Sequence, residues 1–247
     1  MSETGPSKSL SFWFQVFSFI ALVLIPLIVV RTMMTSPGVV SQPQFLGLTF
    51  IIICVLGAIA GVRPSSFSRS GSHKSRQKEG NDSQDHDRLE QKPILRGHHY
   101  SCDSFSDHVL RIGSNVYCAG CTGLTTGAII AILGSLVYFF LGVTILDELV
   151  VFWVGFSGVF IGLVQHRIYR SLSIKNGFFR FVLNVIFVVG AFLVLVGADR
   201  ITGDLTVDLY IVCAILLWIL TRIVMSKGEH ERICKRCDDE TCSHPLC

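Results

Sequence analysis

Residues 123–143 read GLTTGAIIAILGSLVYFFLGV, twenty-one positions without a charged side chain. A helix that crosses the hydrocarbon core of a bilayer needs about 20 such residues. Runs of the same kind recur at about 10–30, 45–62, 149–165, 178–197 and 206–225, those at 45–62 and 149–165 being the shortest. Half of the 247 residues are hydrophobic and the mean hydropathy is +0.56, values that a soluble domain of this length rarely reaches. The expected fold is therefore an all-α membrane protein of about six transmembrane helices, with the lipid bilayer as its first partner. A net charge of +3 is too small to argue for nucleic acid.

The first run, WFQVFSFIALVLIPLIVV (13–30), has some of the look of a secretory leader. Its n-region carries only Lys8, its apolar core is long, and no small-x-small site follows cleanly. A retained span is the expectation.

The loops between the runs differ sharply in charge. Segments 1–9, 63–122, 166–180 and 222–247 would share one side of the membrane, and they hold 19 of the 21 Lys and Arg. The other side holds only Arg31 and Arg200, against Asp147, Glu148, Asp199, Asp204 and Asp208. The positive-inside rule then places both termini in the cytoplasm of a multi-pass cell (inner) membrane protein. All eight His and seven of the nine Cys fall on that side or at its edge, while Cys54 and Cys213 lie within spans as small apolar packers. Because the cytosol is reducing, a structural disulfide framework is disfavoured there.

Immediately before 123–143, YCAGCTGL (117–124) places Cys118 and Cys121 in a Cys-x-x-Cys at the mouth of the span. Such a pair holds a metal ion or works as a redox dithiol. Upstream, HHYSCDSFSDH (98–108) adds His98, His99, Cys102 and His108. Zinc takes four N or S ligands in a tetrahedron, so Cys118, Cys121, Cys102 and one His would complete a site. VLRIGSNVYC (109–118) reads as a short hairpin turning at Gly113-Ser114-Asn115, which would bring His108 or Cys102 back over the Cys-x-x-Cys. The redox reading has its own basis, because a helix N-terminus lowers thiol pKa. However, thioredoxin-type motifs follow a strand in a βαβ pattern, which the sequence does not announce. Six donors exceed one closed site and leave room for an open catalytic position, with His98, His99 or Asp107 acting on bound water. Known signatures do not fit: HERIC (230–234) is not His-Glu-x-x-His, and Tyr117 stands where a zinc deaminase has Pro.

HHYSCDSFSDH followed by YCAGCTGLTTGA resembles uncharacterised polytopic membrane proteins of archaea and bacteria. In these, a His/Cys element precedes a Cys-x-x-Cys-x-Gly that opens a transmembrane helix. The matching positions are Cys102, Cys118, Cys121 and Gly123. Bacterial versions usually carry Arg inside the Cys-x-x-Cys, where this chain has Ala119-Gly120. The resemblance covers roughly residues 96–145 and implies a membrane family without supplying an activity.

Upstream of the cluster, residues 63–97 are Ser-rich and charged, with too little apolar surface to offset ordering, and read as a cytosolic linker. The tail ICKRCDDETCSHPLC (233–247) spaces Cys234, Cys237, Cys242 and Cys247 like a zinc knuckle, with Cys242 where a knuckle usually has His. Its Asp238-Asp239-Glu240 run and lack of aromatic residues point away from RNA. The expected organisation is a two-helix unit (1–62), linker (63–97), metal-binding loop (98–122), four-helix unit (123–226) and knuckle-like tail (227–247).

Within the spans, Asn184 is the only strongly polar amide at mid-depth and ionisable groups are absent there, which weighs against ion or proton transport. Gly123-x3-Gly127 and Gly158-x3-Gly162 are expected helix seams, either within one chain or between protomers of a homo-oligomer. The sequence thus leads to an interaction or regulatory module with two cytosolic zinc-type sites, able to engage a protein partner on that side. The alternative is a membrane metalloenzyme or thiol-redox enzyme centred on Cys118 and Cys121.

Overall fold

The computed structural model describes residues 6–35, 42–62, 95–96, 109–112, 115–144, 146–172 and 176–234. Six α-helices dominate: α1 (Pro6–Met34), α2 (Pro43–Val62), α3 (Ala119–Ser135), α4 (Glu148–Leu172), α5 (Gly177–Thr202) and α6 (Leu205–Cys234). Five of them are long and apolar enough to cross a membrane; α2 offers a shorter apolar stretch, Pro43–Ile59. At 1.5 Å per residue that stretch is about 25 Å long, short of a ~30 Å hydrocarbon core.

α5 is the centre of the bundle, with α3 and α4 packed along it and α6 beside it. Contact between α4 and α5 is backbone to backbone. A Cβ added at Gly155 would lie 2.5 Å from the Val194 nitrogen, and one at Gly190 would lie 2.9 Å from the Val159 nitrogen. On the other side, a Cβ at Gly123 would meet the Phe181 carbonyl at 2.5 Å. Gly123, Gly127, Gly158 and Gly162 all face α5, so these seams are used within the chain.

The two N-terminal helices are consecutive in sequence but dock on different partners. α2 packs on α3, whereas α1 packs mainly on α6. The α1–α6 seam is polar as well as apolar. Ser18 and Thr221 share a hydroxyl hydrogen bond of 2.7 Å, the fully buried Trp218 donates its Nε1–H to the Ser18 carbonyl at 3.2 Å, and Tyr210 donates to the Ala21 carbonyl at 3.2 Å. α1 is thereby tied to α6 by polar contacts around Ser18 and Ala21.

α3 ends in a π-helical segment, Leu136–Phe140. The wider turn brings Tyr138 onto α5, where its hydroxyl donates to Asp199 Oδ2 at 2.7 Å. At that same end Arg200 pairs with Glu148 at 3.0 Å, and Asp199, Asp204 and Asp208 are all buried. The sequence treats these carboxylates as loop charges. Instead Asp199 lies in the last turn of α5 and Asp208, 0 % exposed, in the first turn of α6.

A three-stranded sheet caps the opposite end of α3. Its strands are β1 (Leu95–Arg96), β2 (Val109–Ile112) and β3 (Asn115–Cys118), in the order β1-β3-β2. β2 and β3 form the expected hairpin, with Ile112 opposite Asn115 and Val109 opposite Cys118. β1 runs parallel to β3, with Leu95 opposite Val116. Leu95 and Arg96 fall inside the stretch that composition assigns to the linker, so the pairing reaches further upstream than polarity alone suggests.

Candidate functional site

β3 runs without a break into α3, and Cys118 is both the last residue of the strand and the N-cap of the helix, with extended backbone (φ −68°, ψ 117°). Cys121 is then the third residue of α3. An N-cap side chain lies over the first turn, where the backbone N–H groups have no partner within the helix. The two thiols accordingly meet. Neither is in a disulfide, and the Cys121 side chain is hydrogen-bonded to that of Cys118. Cys118 is 7 % exposed, and Cys121 is half-buried. Thr122 closes the turn by donating its hydroxyl to the Cys118 carbonyl at 2.9 Å.

A polar junction lies beneath the pair. The position a Cβ would take at Gly120 is 3.8 Å from Asn184 Nδ2 and 4.0 Å from Cys118 Sγ, so the missing side chain leaves a space bordered by both groups. Asn184 Nδ2 donates to the Arg180 carbonyl at 2.8 Å, and its Oδ1 accepts from the Arg222 guanidinium. Arg222 also donates to the Gly162 carbonyl at 3.2 Å and lies 5.3 Å from the centre of the Phe187 ring. Gln165 lies against the same guanidinium, and its carboxamide is assigned with the oxygen toward Arg222, the orientation that satisfies both groups. One arginine of α6 thus joins α4 and α5 at the level of the thiols.

The chain matches no protein-family model, no curated protein and no solved structure.

Of the ten residues that the sequence nominates as metal ligands, the structure brings Cys118 and Cys121 together. His98, His99, Cys102 and His108 lie outside the described residues, although Val109, which follows His108 in the chain, sits directly opposite Cys118. Cys234 ends α6, and Cys237, Cys242 and Cys247 lie outside the described residues. Among the described residues no three His, Cys, Asp or Glu side chains gather as a metal-binding group. His166 follows Gln165 on α4; its side chain lies outside the described residues. What the chain does present is two sulfurs on one helical turn, the half of a tetrahedral thiolate site that a Cys-x-x-Cys supplies.

Sequence reasoning misses the Arg222 junction. It closes the last span at 225 yet counts Arg222 with the exposed segment that follows. The signal was in Ile223-Val224-Met225: the apolar run resumes after the arginine, so Arg222 sits within the helix rather than beyond it. The absence of charge holds for the middle of the spans, while Asp208 and Arg222 both lie inside the apolar part of α6, Leu205–Ser226.

Proposed function

We propose that this chain is a multi-pass membrane protein of the cell (inner) membrane that uses a thiol-based zinc site to clasp its cytoplasmic face, as an interaction or regulatory module. Cys118 and Cys121 would provide two thiolates from the head of α3. The segment preceding β2 would complete the site with Cys102 and one of His98, His99 and His108. The observation that carries this reading is the meeting of the two thiols at the strand–helix junction. The hairpin register supports it, because it returns the chain to Cys118 one residue after His108.

A bound metal would cross-link the segment to the bundle, and its binding energy would be folding energy for a sheet with little core of its own. The polar junction below would hold the floor of the site still: Asn184 is fixed from both ends, by Arg180 and Arg222. Lys and Arg on four separate segments support cytoplasmic termini. The tail cysteines would form a second zinc site for a protein partner at the end of α6.

The test is metal analysis of the reduced, full-length protein in detergent. Cys118→Ser and Cys121→Ser are each expected to lose about one metal per chain and to expose residues 63–117 to protease. Unchanged metal content in both variants would refute the site.

A further inference from the structure

We propose that Cys118 and Cys121 form a reversible oxidation site, in which a two-electron oxidant of the peroxide class closes a disulfide between them. Its consequence, loss of metal from the clasp, rests on the zinc reading above; the bond itself does not.

Four observations converge on it. Both are thiols, neither in a disulfide, and they are already hydrogen-bonded to each other. They occupy the N-cap and third positions of α3, and side chains three residues apart on a helix have Cβ atoms about 5–6 Å apart. Disulfides need Cβ atoms roughly 3.5–4.5 Å apart, so closure takes a small backbone adjustment, which Cys118 can make because it sits at the N-cap in extended conformation rather than within the helix. β3 leads straight into the pair, so the strand–Cys-x-x-Cys–helix order typical of working dithiols is present here, as the expected hairpin over 109–118 implies. Finally, Cys121 is half-buried rather than sealed, which gives a small oxidant access to the pair. Cys54 and Cys213, the other free cysteines whose side chains the structure describes, lie within α2 and α6 rather than at this strand–helix junction.

The chemistry balances in two steps. One thiolate attacks a peroxide oxygen; the O–O bond breaks, hydroxide leaves, and a sulfenic acid forms. The second thiol attacks that sulfur; the S–S bond forms, the S–O bond breaks, and water leaves with the thiol proton. Both electrons come from the two sulfurs. Exchange with a dithiol reductant reverses the bond, as the reducing cytosol requires of a switch. A disulfide sulfur is no longer a thiolate ligand, so closure removes two donors from the clasp at once.

The experiment uses the full-length protein in detergent, purified reduced, treated with hydrogen peroxide and then N-ethylmaleimide. Peptide mass spectrometry follows residues 112–135, and a chromogenic chelator follows released zinc. The expected result is joint loss of both maleimide adducts from the one peptide, with a mass lower by two hydrogens, restored by dithiothreitol. About one zinc per chain should be released in parallel. Disulfide closure in a protein that carried no metal beforehand supports the oxidation site and sinks the zinc reading. Bound metal with one cysteine over-oxidised and the other still alkylated overturns the oxidation site and leaves the clasp standing. A disulfide from Cys118 or Cys121 to any other cysteine also overturns it.

Discussion

Replacing Arg222 by methionine should loosen the bundle at the level of the thiols. The guanidinium donates to three neutral acceptors on two other helices, the Gly162 carbonyl, Asn184 Oδ1 and the Gln165 carboxamide, and it faces the Phe187 ring. Hydrogen bonds between membrane helices average about 0.6 kcal/mol, and a cation over an aromatic ring adds about 0.5–1 kcal/mol. The expected loss is therefore roughly 2.5 kcal/mol, between one and two orders of magnitude in the unfolding equilibrium. Arg222→Lys keeps the charge but not the planar fork and should lose about half as much. A triple change, Arg222→Met with Asn184→Leu and Gln165→Leu, should recover much of the loss, since it removes the stranded acceptors as well as the donor. The assay is SDS titration in mixed micelles, read from Trp218, which is 0 % exposed at the α1–α6 seam. Trp13 and Trp153, both exposed, are first changed to Phe so that one fluorophore remains. Arg222→Met within about 0.5 kcal/mol of the parent would refute the junction as a stabilising element.

Three further outcomes follow. Gly155→Leu drives a side chain into the backbone of α5 and should cost about 1–3 kcal/mol or more in the same titration, whereas Gly57→Leu, with open space around it, should change little. Reporter fusions at residue 85 and at the C-terminus should both read cytosolic; an external signal at either would remove the cytosolic assignment of the thiols. A peptide of residues 228–247 should bind one Co2+ with a tetrahedral thiolate spectrum under reducing conditions, and silence of that spectrum would remove the tail site.

What the sequence makes legible is what hydropathy and short-range turn chemistry encode. The apolar runs become helices, and residues 109–112 and 115–118 pair as the two strands of a hairpin. The direction in which a helix points a given side chain is not encoded that way. Arg222 faces inward because α4 and α5 supply acceptors there, a fact about residues some 40–60 positions away. Tyr138 reaches Asp199 only because α3 widens into a π turn, and nothing in LVYFF announces that. The separate docking of α1 and α2 is equally invisible, since connectivity suggests a hairpin and the polar seam with α6 decides otherwise. For the candidate site, the Cys-x-x-Cys and the hairpin that feeds it are legible from spacing and turn chemistry, while the third strand, β1, pairs parallel to β3 from a stretch whose polarity hides it.

α6 is one unbroken helix of 30 residues, so it is about 45 Å long, some 15 Å more than the hydrocarbon it crosses. From Arg222, clamped between α4 and α5, to Cys234 is about 18 Å of rigid shaft. Whatever is attached at Cys234 therefore has a fixed angular phase relative to the thiols, as a crank has relative to its axle. One alanine inserted between Ser226 and Glu231 would swing that attachment by about 100° and advance it by about 1.5 Å, with the bundle untouched. Four inserted residues would bring it nearly back to its starting bearing, one turn further out, so a partner that reads orientation and a partner that reads only proximity would respond to the two insertions in opposite ways.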